Sequence, residues 1–133
     1  MRQLGDAKAC VNDAVLNDGG RDEKEQAASY QLHCMFSYLL EVPKPVIAAI
    51  NGVAAGGGLI LALMSDLRFA AESAAVTTVF LKRGLIAEHG SSWILPRLVG
   101  TGRALDLLWA SDKISANEAL DYGLVERVVA DLS

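Results

Sequence analysis

Cysteine is scarce in this 133-residue chain. Cys10 and Cys34 are the two present, too few for a disulfide framework and at a spacing that matches no metal or redox motif. Basic residues are also in deficit: 12 Lys and Arg stand against 16 Asp and Glu, for a formal net charge of -4 and a pI of about 5.1. A nucleic-acid binder needs a basic stripe, so that class is set aside. The two histidines stand without a clustered carboxylate or cysteine pattern, which argues against a metal site. The longest apolar run, residues 53–64, is shorter than a membrane-crossing helix and is interrupted by Gly56, Gly57 and Gly58. No basic segment leading into an apolar one opens the chain, and no repeat, linker or low-complexity tract divides it. The expectation is one cytoplasmic domain, 1–133, without membrane insertion.

Apolar residues make up 52% of the chain and charged residues 21%. That is enough to build a core, and for so small a body it implies a rich core or an apolar surface meant for a partner. Residues 1–20, with Asn12-Asp13, Asn17-Asp18 and Gly19-Gly20, read as irregular. Residues 22–41 carry Leu32, Met35, Phe36, Leu39 and Leu40 at helical spacing, with acidic residues in the first turns and Pro43 and Pro45 beyond the end. Residues 46–50 read as a buried strand ending in the Asn51-Gly52 turn, and the glycine triplet leads into a helix. Strands are expected over 66–71, 75–79 and 125–129, and helices over 91–98 and 102–111. Ser115 and Glu118 form a capping box for a further helix that Gly123 stops. The alternation of strand and helix implies an α/β layered fold.

Two stretches have chemical potential. Glycines at a strand-to-helix junction let a ligand approach backbone N–H groups that can hold an anion or a developing oxyanion; the alternative is plain close packing. No G-K-[ST] follows, as a phosphate loop requires, and the spacing is not that of a dinucleotide fingerprint. Glu88 and His89 follow the apolar Gly84-Leu85-Ile86-Ala87 and precede Gly90-Ser91-Ser92. A carboxylate in such a setting suits proton transfer. The plainer reading has Ser91 or Ser92 capping a helix while Glu88 faces water. A Ser-His nucleophile lacks both the third group and the elbow it needs.

The stretch KPVIAAINGVAAGGGLILALMSDLRFAAESA, continued by FLKRGLIAEHGSSWILPRLVGTGRALDLL and ISANEALDYGLVERVV, closely resembles the enoyl-CoA hydratase/isomerase, or crotonase, family over residues 44–129. The Gly5-Asp6-Ala7-Lys8 segment is similar to the end of that family's first oxyanion motif. The resemblance implies a crotonase-like spiral of ββα units, truncated here at both ends, a place in lipid metabolism, and acyl-CoA thioester substrates. Coenzyme A then enters as part of the substrate, and no separate cofactor is expected. It also implies homo-oligomers. By resemblance, the Gly57 N–H is one of two donors that stabilise an enolate, and the other falls near Gln3. The two usual hydratase glutamates correspond to Ile60 and Phe80, neither of which transfers protons. Glu88 falls where several family isomerases carry an acidic residue, so Glu88 and Gly57 are the catalytic candidates. Three readings stay open: an enoyl-CoA isomerase-like enzyme, an enoyl-CoA hydratase by resemblance, and a noncatalytic acyl-CoA-binding or interaction protein.

Overall fold

The computed structural model describes residues 36–131. Gln3, the Gly5-Asp6-Ala7-Lys8 segment, Cys10, His33, Cys34 and the irregular reading of residues 1–20 lie outside that span, as does most of the helix expected over 22–41. The described end of that helix is a 3-10 turn, Ser37–Glu41. It stops because Val42 precedes Pro43, whose ring disfavours helical angles in the residue before it; Val42 is extended, with ψ 122°.

Beyond the prolines the chain winds as a coil. Strand β1 (Ile47–Ile50) turns through Asn51-Gly52 into β2 (Val53–Ala55), and helix α1 (Gly57–Leu63) follows. A second pass runs through β3 (Leu67–Ala71) and β4 (Ala75–Thr77). Each pass gives one strand to each of two sheets, ordered β1-β3-β6 and β2-β4-β5. Ile47 pairs with Leu67 and Val53 with Ala75, both in parallel ladders. Helices α2 (Ser91–Val99) and α3 (Thr101–Ala110) come next, then β5 (Ile114–Ser115), α4 (Ala116–Tyr122) and β6 (Arg127–Val129). β5 runs antiparallel to β4, and β6 parallel to β3.

The expected elements are present, with β5 added where no strand was expected and three further differences. The run after Asn51-Gly52 adds β2 before the helix, because its alanines fit a strand laid close against β4. The strand expected over 75–79 ends at Thr77, since Val79 has φ +52°. The strand expected to be buried, β1, leaves Ile47 54% exposed, because among the described residues β3 is its one strand partner.

Leu59, Ile60 and Leu63 of α1 bury the face turned to the sheets and join Ile94 and Leu95 of α2, Leu107 of α3 and Leu124 in one core. Arg68 on β3 is 2% exposed yet fully partnered. Its Nε donates to the Leu124 carbonyl at 2.7 Å, one terminal nitrogen donates to the Ser65 carbonyl at 2.8 Å, and the other pairs with the Glu126 carboxylate. A buried guanidinium is tolerated only when its donors are met, and here they clamp the approach to β6 onto β3.

Candidate active site at the glycine turn

The glycine triplet is three different positions. Gly56 caps α1 at φ +51° and ψ -121°, angles open to glycine and strained for other residues. Its N–H donates to the Thr77 carbonyl at 3.1 Å, and a Cβ built there would stand 3.3 Å from Val79 Cγ2. Gly57 is the first residue of α1, so its N–H has no carbonyl one turn back to donate to. Gly58 is already inside the helix. The triplet is therefore a turn entering a helix, as the sequence implied.

The wall facing this turn is held by buried hydroxyls. Thr77 Oγ1 donates to the Ser111 carbonyl at 3.0 Å, and Thr78 Oγ1 donates to the Leu107 carbonyl at 2.7 Å while meeting Ser111 Oγ at 3.1 Å. They tie the end of β4 to the end of α3, and this fixes Val79 against Gly56 and Phe80 in the core. Ile60 and Phe80, at the positions where a hydratase would carry glutamates by resemblance, are both buried in that core.

Glu88 lies just before α2, with its side chain 39% exposed. His89 Nε2 is 3.7 Å from Glu88 Oε2, within ion-pair range and too long for a hydrogen bond. The His89 ring meets the Phe36 ring edge to face, with centroids 5.4 Å apart. Phe36 in turn lies against Gly57: a Cβ built on that glycine would be 3.7 Å from Phe36 Cε2. Phe36 thus bridges the glycine turn and the Glu88–His89 pair. Sequence reading placed Phe36 on a helix face and gave it no part in the site. Its contact with Gly57 crosses between segments, and no local pattern announces it.

Neither serine caps α2. Gly90 is the N-cap, and Ser91 is buried inside the first turn with its Oγ unpartnered. A cavity of about 560 Å³ opens on the β1–β2–α1 face, lined by Tyr38, Ile47, Val53, Gly58 and Leu61 among others, and neither Gly57 nor Glu88 lines it. Among the described residues no group of three or more His, Cys, Asp or Glu is placed to hold a metal, and no helix is long and apolar enough to cross a membrane.

The sequence model of the enoyl-CoA hydratase/isomerase family matches residues 13–133. A 1,2-epoxyphenylacetyl-CoA isomerase of Escherichia coli is 46% identical over 93 residues, 70% of this chain and 36% of that protein. The crystal structure of an enoyl-CoA hydratase from Bacillus anthracis has a TM-score of 0.73 at 43% identity, covering 84% of this chain and 43% of the other. An enoyl-CoA hydratase from Thermoplasma volcanium also gives 0.73, at 37% identity, with 83% and 45% covered. The chain spans less than half the length of each of these three proteins. The two-sheet coil of β-β-α passes is the crotonase fold that the structural likeness identifies. With family pattern, relatives and fold in agreement, the chain belongs to the enoyl-CoA hydratase/isomerase family.

Proposed function

We propose that the site performs enoyl-CoA isomerase-like chemistry on an acyl-CoA thioester. The thioester carbonyl accepts a hydrogen bond from the Gly57 N–H. The Glu88 carboxylate removes a proton from one carbon, the resulting enolate oxygen is stabilised by the backbone donor, and Glu88 returns the proton to another carbon. The observation that carries this reading is the Phe36 bridge: its ring stands 3.7 Å from where a Cβ on Gly57 would lie, and it packs against the imidazole paired with Glu88. Ile60 and Phe80 support it further, since a buried Ile and Phe cannot activate water for hydration. The test is Glu88→Gln, which keeps the shape and removes the base. It is expected to slow double-bond migration and α-proton exchange at least about 100-fold, with thioester binding little changed. Equal exchange in parent and variant at matched occupancy would overturn the assignment of Glu88.

A second reading, a noncatalytic acyl-CoA-binding or interaction protein, is favoured by the cavity on the β1–β2–α1 face, which neither Gly57 nor Glu88 lines. Demonstrated thioester binding with no exchange in the parent decides for it. Self-association belongs to either reading, supported by exposed Ile47, Val53 and Leu61 on the β1–β2–α1 face. Sedimentation is expected to show a mass that rises with concentration; a monomer at every concentration would count against it.

A further inference from the structure

His89 is the unusual residue of the Glu88 segment. Its φ of +55° is a conformation that glycine adopts freely and a side chain adopts at a cost. The two positive-φ side chains nearest in sequence to the candidate residues are Val79, pressed on Gly56, and His89, beside Glu88. Strain of this kind persists where the surroundings over-determine it. Two contacts fix the imidazole: its ring packs edge to face on Phe36, and its Nε2 stands 3.7 Å from Glu88 Oε2. Among the described residues, the ion-pair contact of Glu88 is with His89.

From this geometry we infer that His89 is the positioning residue of the Glu88 carboxylate, the left-handed backbone at position 89 aiming Nε2 at Oε2 while Phe36 clamps the ring. The inference rests on the isomerase-like reading for its catalytic consequence, and on geometry alone for the pairing. The imidazole does not exchange protons with substrate. It holds the carboxylate beside a ring that itself packs on Phe36, and a carboxylate partly exposed to water needs such a tether to stay in one orientation. A glycine at position 89 would relieve the backbone and release the carboxylate.

The test compares His89→Gln with His89→Met. The two side chains are nearly the same size and meet the same backbone cost, but Gln offers an amide N–H at the distance of Nε2 and Met offers none. Equal thermal midpoints in the two variants establish that stability is matched. With an enoyl-CoA thioester as probe, Gln is expected to hold kcat for α-proton exchange within about 3-fold of the parent, and Met to lose at least about 10-fold with KM unchanged. A second readout needs no turnover: the side-chain carboxyl ¹³C resonance of Glu88, assigned with Glu88→Gln. It is expected to hold its position in the Gln variant and to move in the Met variant. A carboxyl resonance that is the same in the Gln and Met variants overturns the inference, as does equal exchange in the two. If the resonance moves only in the Met variant and no protein shows exchange, the pairing stands and the isomerase-like reading falls.

Discussion

The donor assigned to the oxyanion is a main-chain N–H, which ordinary side-chain replacement leaves in place. Gly57 nonetheless allows it to be removed. The residue opens α1, where proline is well tolerated because its missing N–H has no intrahelical partner and its φ suits the first turn. Gly57→Ala keeps the N–H and puts its methyl at ordinary contact distance from Phe36, 3.7 Å; Gly57→Pro deletes the donor. At matched thioester occupancy the Pro variant is expected to exchange α-protons roughly 100-fold more slowly than the Ala variant. Equal rates in two folded variants would take the N–H out of the mechanism. The triplet's position at a strand-to-helix junction was legible in the sequence. The division of labour among the three glycines was not. Gly56 has positive φ, and a Cβ there would also meet Val79 and Thr78 of another segment; sequence spacing carries no such information.

At the level of the element, the start of α4 is the feature that local sequence specifies most fully. Glu118 Oε2 accepts from the Ser115 backbone N–H at 2.8 Å and from its hydroxyl at 2.7 Å, and Ser115 is the N-cap of the helix. Those bonds, the backbone one foremost, hold the Glu118 carboxyl below its ordinary value. A lowered folded-state value means that the ionised cap adds stability above the ordinary glutamate range, and that this contribution is lost as pH falls through the folded value. In Glu118→Gln that component of pH dependence is expected to vanish. Melting midpoints of parent and variant, compared across the mildly acidic range, should converge toward the acid end; a constant difference would contradict the cap's role. The cap was readable because all its partners lie within four residues. β5 was missed for the opposite reason: two residues qualify as a strand only by pairing with β4. Likewise Val79 ends β4 through a backbone angle fixed by neighbours distant in sequence.

Across the whole molecule, the α/β class and the order of strands and helices could be read in advance from the alternating patterns. The pairing of β3 with both β1 and β6 could not, since parallel partners leave no turn between them to signal the match. Arg68 is the residue that makes this closure specific. Replacing it with Met keeps much of the volume and the backbone N–H bond to Glu126, but it removes the guanidinium from the Glu126 carboxylate and from the Leu124 and Ser65 carbonyls. Arg68→Met is expected to cost about 3 kcal/mol, at the lower end for a buried pair because Glu126 is 35% exposed. Urea unfolding would read this as a lowered midpoint at unchanged slope; an unaltered midpoint would show the clamp to be dispensable. The same clamp bears on how the chain assembles. The contact that closes the first coil, the Val46 N–H on Asp66, spans 20 positions, and the Arg68–Glu126 contact spans 58. Loop-closure entropy disfavours the longer span by about 1 kcal/mol. The expected order of assembly therefore puts the β1–β3 coil, with the glycine turn it carries, ahead of the clasp. A nascent chain can shape its glycine turn before the last strand has docked.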